Sequence, residues 1–229
     1  MRCRRSRPGS PHRAGRESAG LAAQWLRPAK KRADGIIEPN SNRKARAISQ
    51  TDSSTSDEVH FRPPSKQDGA GILHLVHELG VLDVNSAYAY MLIGEHHAST
   101  SVVAEIDGEL VGFITAYILP EKPDTVFVWQ VGVAEAGRGK GLATRMLFQI
   151  LKRDACADVH YLDTTIGPSN EPSQALFRGL ARRLDTEVAE SELFSSEMFG
   201  DFEADEPHEP EILFRIGPFD RDSVERASD

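Results

Sequence analysis

The chain has 229 residues, 39% hydrophobic and 27% charged, enough for one globular domain with a sizeable core plus additional chain. No apolar run approaches the roughly 20 residues of a membrane span. Two cysteines, Cys3 and Cys156, supply neither a disulfide framework nor the paired spacing of a zinc site, so no metal is expected and the setting reads as reducing and cytoplasmic.

The net charge of −8 divides unevenly: residues 1–50 carry 13 Lys and Arg against 3 acids, and the rest of the chain carries a net −18. Residues 1–58 are rich in Arg, Ser, Pro and Gly and lack a sustained apolar period, which predicts a disordered basic N-terminal extension. Three roles compete for it: an arm for nucleic acid or membrane, a transit-like segment, or an extension without function. The −18 remainder opposes a nucleic-acid partner, and the apolar core of a secretory signal is missing.

At Val59 the pattern changes. Val59–Arg62 reads as a short strand, and Ser65, with Asp68 three residues on, offers a helix N-cap. Ile72, Leu73, Val76 and Leu79 keep helical spacing up to Gly80. A second helix is predicted over Ala87–Ile93 with Ser86 as its cap. Ser101–Ile106 and Glu109–Ile118 are strands joined by a two-residue turn at Asp107-Gly108, and Thr125–Val133 is a third, dense in β-branched and aromatic residues. A glycine-rich loop then opens a helix with Leu142, Met146, Leu147, Ile150 and Leu151 on its core face. A strand at Val159–Thr165, a helix over residues 169–183 and a last strand at Glu211–Ile216 complete an α/β domain with a mixed, mostly antiparallel sheet flanked by helices, spanning residues 59–218. Residues 219–229 are expected to form a flexible C-terminal tail.

The strongest chemical signal is Val131-Gly132-Val133-Ala134-Glu135-Ala136-Gly137-Arg138-Gly139-Lys140-Gly141-Leu142-Ala143-Thr144. A strand runs into a glycine turn that opens a helix, so free amides, the positive helix end and the charges of Arg138 and Lys140 favour a phosphate. It is not a Walker loop, because Gly141 and Leu142 follow Lys140 where a hydroxyl residue is required. An ordinary strand–helix turn is the alternative.

The run Arg138–Ala143 resembles the acetyl-CoA signature of the GCN5-related N-acetyltransferases, and Asn170-Glu171-Pro172-Ser173-Gln174-Ala175-Leu176-Phe177 resembles the family's N-x-x-S/A-x-x-L-F/Y helix start. The resemblance implies acetyl-CoA as cosubstrate. Val131 and Val133 would offer backbone groups to the pantetheine arm. Arg138, Gly139, Lys140, Gly141, Leu142, Ala143 and Thr144 would hold the pyrophosphate, and Asn170 and Ser173 would line the far side of the coenzyme. Many relatives carry a tyrosine at the Phe177 position to protonate the leaving thiolate; phenylalanine has no such proton.

Further segments are more particular: Phe61–Pro64, Gly80–Tyr90, Phe127–Val131, His208–Glu211 and Phe214–Pro218. They resemble the diaminobutyrate-acetylating branch of the family, whose members move an acetyl group to the 4-amino group of L-2,4-diaminobutyrate, the precursor step to ectoine. That resemblance implies a homodimer and a substrate site made of Asp83, Tyr88, Trp129, His208 and Glu211. Asp83 and Glu211 suit the two ammonium groups, since charge-assisted hydrogen bonds are the strong ones. Tyr88 and Trp129 can wall a pocket, and His208 can donate or accept.

Plainer roles stand beside these. Asp83 could cap the second helix, Tyr88 and Trp129 could simply pack, and Glu211 could belong to a solvated acidic loop. Asp83 and Glu211 are both candidates to take the proton that the 4-ammonium must lose before attack. Rival functions are a peptide N-terminal or ribosomal-protein acetyltransferase, which needs an open groove, and a coenzyme-binding regulator without turnover.

Overall fold

The computed structural model of the chain describes residues 58–200 and 208–228. The expectations for the basic N-terminal extension lie outside the described residues. Seven strands occur among the described residues: β1 (Val59–Arg62), β2 (Val102–Ile106), β3 (Glu109–Leu119), β4 (Lys122–Val133), β5 (Tyr161–Ile166), β6 (Val188–Phe194) and β7 (Glu211–Ile216). The helices are α1 (Gly69–Leu79), α2 (Ala87–His96), α3 (Leu142–Leu151), α4 (Glu171–Arg183) and α5 (Arg221–Ser228). The strands form one sheet in the order β1-β2-β3-β4-β5-β7-β6, antiparallel throughout except for the parallel pair β4–β5.

Alternation along the strands gives the sheet two apolar faces. Val102, Ala104, Ile114, Val126, Leu162 and Phe214 pack with α3, α4 and α5 in the larger core. Val103 and Phe113 point the other way and pack with Ile72, Leu75 and Val76 of α1 and Tyr90 of α2. Among the described residues, α1 and α2 cover the second face beside β2 and β3, and a cavity lies above β4, β5 and β7.

The start of α1 is tied to the sheet by charge. Arg62 donates to both Asp68 oxygens at 2.9 and 2.7 Å and to Glu105 on β2 at 3.1 and 2.5 Å. Ser65 donates its backbone N–H and its hydroxyl to the same Asp68. The Arg62 guanidinium, with Ser65, holds the Asp68 carboxyl down at about 2.

Two elements escape the sequence pattern. β6 is an edge strand whose residues are largely exposed, so it shows no apolar alternation. The tail expected from residue 219 is instead folded: Asp220 accepts from the Ser223 N–H and hydroxyl at the start of α5, and Phe219 and Val224 are buried in the larger core. The capping aspartate and the single inward valine are too sparse to register as a periodic helix.

Two outcomes are expected. Asp68→Asn should destabilise the domain at neutral pH by about 2 kcal/mol, as loss of a charge-assisted network does. A carboxyl held low in the folded state stabilises above its unfolded value of 3.8, and that stabilisation is lost as pH falls through about 2, so urea melts of parent and variant should converge over that interval. Phe219→Ala should cost about 3 kcal/mol in the same assay, whereas a flexible tail would give no change.

Candidate active site

The defining feature is where two strands part. β4 and β5 pair from Thr125↔Tyr161 to Val128↔Thr164 and no further. At that point the β3–β4 register shifts, leaving Trp129 as the extra residue between Val128, opposite Ala116, and Gln130, opposite Thr115. Such a bulge bends its strand and re-aims side chains. Beyond it β4 stays with β3, while β5 continues beside β7 as far as Ile166↔Ile212. The backbone edge of β4 past Val128 is therefore without a strand partner. Gln130 N–H donates to Thr115 Oγ1 on β3, and alternation then turns the Val131 N–H toward the opening.

A cavity of about 780 Å³ occupies this opening, within the range of ~300–1,000 Å³ usual for small-molecule sites. Its floor is Phe127–Val131 of β4 and Asp163–Ile166 of β5; its sides include Val81–Asp83, Ser169, Asn170, Ser173 and Phe177, and Phe199, His208, Glu209 and Glu211. Asp83, Trp129, Val131, Asn170, Ser173, His208 and Glu211, all expected from sequence, thus share one cavity.

Tyr88 does not line it. α2 is capped by Ser86, whose hydroxyl accepts from the Ala89 N–H, and this fixes the helix phase. Two residues are about 200° apart on a helix, so Tyr90 turns inward with no exposure and Tyr88 turns out at 67%. The inward ring is the one that matters locally: Tyr90 stacks on Trp129 at 6.5 Å and its hydroxyl donates to Gln130 Oε1 at 2.8 Å. Val133, at the end of β4, also lies outside the cavity lining.

Among the described residues four carboxylates border the cavity, and two are already engaged. Asp163 is 2% exposed and accepts from Arg215 Nη1 at 3.1 and 2.9 Å. Burial pushes its carboxyl up while Arg215 pulls it the other way. Glu209 Oε2 accepts from the Ser169 N–H at 3.0 Å and lies 2.9 Å from where a Cβ on Gly167 would stand, so the glycine leaves room for it. Asp83 and Glu211 are different: among the described residues neither carboxylate has a hydrogen bond or ion pair. Asp83 is held instead by its backbone carbonyl, which accepts from Gln130 Nε2 at 2.9 Å. The capping role is taken by Ser86, not by Asp83.

The His208 ring stacks on Phe199 with 3.8 Å between centroids. Its Nδ1 lies 2.6 Å from the Glu209 carbonyl oxygen. A carbonyl only accepts, so Nδ1 carries the proton and Nε2 keeps a lone pair in the neutral ring. Asn170 caps α4 by accepting from the Ser173 N–H at 3.1 Å. Gln130, Tyr90 and Glu209 were not legible as site residues, because each sits in an apolar strand, an apolar helix or an acidic run.

Past Val133 the chain makes a 3-10 turn at Glu135–Gly137 and enters α3 through Gly139 and Gly141, with φ of 74° and 63°. Side chains other than glycine rarely adopt such φ. A Cβ at either position would meet nothing within 4 Å, so the space in front of this backbone is open. The first amides of α3, at Leu142, Ala143 and Thr144, have no preceding helical carbonyl to bond and suit an anion. Phe177, 2% exposed, stands at the cavity wall and has no ionisable proton. Cys156 is buried and its thiol is pushed up to about 11, so it is no nucleophile. Among the described residues no cluster of His, Cys, Asp or Glu could hold a metal ion, and no helix is long and apolar enough to cross a membrane.

A bulged strand parting from its parallel neighbour, followed by a glycine loop at a helix start, is the layout of an N-acetyltransferase. Residues 74–181 match the acetyltransferase (GNAT) family. The L-2,4-diaminobutyric acid acetyltransferase of Marinococcus halophilus is 53% identical over 163 residues, covering 71% of this chain and 92% of that protein. Its counterpart from Halomonas elongata is 44% identical over 167 residues, 72% of this chain and 84% of that one. A solved structure, the diaminobutyrate acetyltransferase of Paenibacillus lautus in complex with its substrate L-2,4-diaminobutyric acid and coenzyme A, is 41% identical with a TM-score of 0.68, covering 72% of this chain and 97% of that one. The ribosomal-protein-S18-alanine N-acetyltransferase of Escherichia coli, at 12% identity and a TM-score of 0.53, shares the fold alone. The chain belongs to the diaminobutyrate acetyltransferases of the GNAT family.

Proposed function

We propose that the chain transfers the acetyl group of acetyl-CoA to the 4-amino group of L-2,4-diaminobutyrate, giving N4-acetyl-L-2,4-diaminobutyrate and CoA in ectoine biosynthesis. The observation that carries this reading, beside family membership, is the charge inventory of the cavity. Of the four carboxylates that the described residues bring to it, Asp83 and Glu211 are uncommitted, and the substrate brings two ammonium groups.

The chemistry is a direct attack. The neutral 4-amino nitrogen forms a bond to the thioester carbonyl carbon, and the C–S bond breaks. Asp83 or Glu211, directly or through water, takes the proton that the ammonium must first lose. The Val131 N–H, freed by the parting of β4 from β5, is positioned to stabilise the oxyanion. Trp129 and the His208–Phe199 stack wall the acceptor. The amides from Gly139 to Thr144, with Arg138 and Lys140, receive the pyrophosphate. Phe177 supplies no proton, so the departing thiolate takes one from water or from the amide nitrogen as it loses its positive charge. The assembly carried by this reading is a homodimer.

Two experiments test these assignments. Gly141→Val forces a branched residue to φ 63° and fills the open space before the loop. It should weaken acetyl-CoA binding by at least about ten-fold, or ~1.4 kcal/mol, in calorimetry of a protein that remains folded; unchanged binding would remove the loop from the site. Asp83→Ala and Glu211→Ala should each lower kcat/KM for diaminobutyrate by roughly 30-fold to several thousand-fold, the ~2–5 kcal/mol of an unpaired charge, with normal acetyl-CoA binding. The variant lacking the proton acceptor should lose kcat and change its pH profile, whereas loss of a binding group alone raises KM. Wild-type kinetics in both would defeat the acceptor assignment.

A further inference from the structure

Gln130 is only 8% exposed, and both ends of its amide are engaged by distant parts of the chain. Oε1 accepts from the Tyr90 hydroxyl of α2 at 2.8 Å, and Nε2 donates to the Asp83 carbonyl at 2.9 Å. The hydroxyl donor and the carbonyl acceptor at opposite ends allow one amide orientation only. The backbone of Gln130 is fixed as well, through its N–H to Thr115 Oγ1 beside the bulge.

Besides Gln130, the loop is held by Leu82, which packs against the core under α1 and α2. Val81, Asp83 and Val84 are exposed. The other hydrogen bond onto the Asp83 carbonyl comes from Asn85 at 3.4 Å, long for such a bond. The Asp83 carboxylate branches from the same residue as the anchored carbonyl, so a shift of the anchor moves the carboxylate with it. Gln130 also lies between Trp129, which walls the acceptor in the proposed function, and Val131, whose N–H is turned toward the opening. One strand therefore registers both walls.

We propose that Gln130 is a positioning residue, which, with Tyr90 orienting its amide, places the Asp83 carboxylate for the acceptor and couples that placement to the bulge of β4. This rests on Asp83 binding the acceptor. Both ends of the Gln130 amide are engaged within the chain, so it acts through Asp83.

The test is steady-state kinetics of three variants in the full chain. Gln130→Met keeps the length of the side chain and removes both polar ends. Gln130→Glu keeps the acceptor for Tyr90 and removes the donor to Asp83. Tyr90→Phe keeps the stack on Trp129 and frees the amide. Both Gln130 variants should raise KM for diaminobutyrate about ten-fold, the loss of the buried hydrogen bond to Asp83 that they share, with KM for acetyl-CoA changed less than about two-fold. Tyr90→Phe should move the same constant in the same direction by about three-fold, and it carries the test if the Gln130 variants do not fold. In an Asp83→Ala background the Gln130 changes should be nearly silent, because the group they position is gone. An unchanged KM for diaminobutyrate, or an equal loss with and without Asp83, would overturn the proposal in favour of simple packing. If Asp83→Ala alone leaves diaminobutyrate kinetics intact, the acceptor reading of Asp83 falls first and this proposal with it, so the two failures are told apart by that single variant.

Discussion

Once β4 and β5 stop pairing at Val128 and Thr164, a sheet that is otherwise hydrogen-bonded from edge to edge acquires a gap. Buried backbone groups must find partners, and here the groups on the open edge of β4 face a cavity instead of a strand. The bulge at Trp129 bends β4 toward β3 while β7 keeps β5 in line. The same bend brings the Trp129 side chain against Tyr90 and seats Gln130 inside, so the opening is braced by α2. Cavity, acceptor wall and coenzyme loop all descend from this one interruption in a ladder.

The cavity's electrostatics follow from which charges the fold has already satisfied. An acidic lining alone says little, since residues outside the first fifty carry a large negative excess. Asp163 is held by a guanidinium that also sits 4.0 Å over the Tyr161 ring, and Glu209 is held by a backbone amide at the turn into α4. Those two organise the walls. In the proposed function, the carboxylates without a partner among the described residues are the ones that bind a cation from outside, because desolvating an unpaired charge is expensive.

Much of this was legible in the residues. Periodicity located α1, α3 and most strands, since each buries one regular face. The glycine loop could be read because positive φ and an anion site both call for particular residue types. What failed did so for physical reasons. β6 lies at the sheet edge, where exposure on both sides erases alternation. α5 rests on one cap and a few apolar contacts. Tyr88 and Tyr90 are equivalent in composition and differ only in helix phase, which the Ser86 cap decides. Gln130 reads as a polar interruption in an apolar strand, and its two partners lie 40 and 47 residues away, so local pattern could not reveal them.

In the proposed function, Asp83, His208 and Glu211 come from two stretches, around residues 81–83 and 208–211, that lie outside the β4–α3 segment, whereas Trp129 comes from β4 itself. In that reading, the charged groups for the amine and the amides for the activated acyl donor belong to separate parts of the chain, joined through β4. Changes in either outer stretch can re-specify the amine without disturbing the donor machinery. That separation lets one scaffold diversify its acceptors, as the shared fold of a diaminobutyrate enzyme and a ribosomal-protein enzyme illustrates. The limit on such exchange is the contact through Gln130: a replacement loop must offer a carbonyl at the place where Asp83 offers one now.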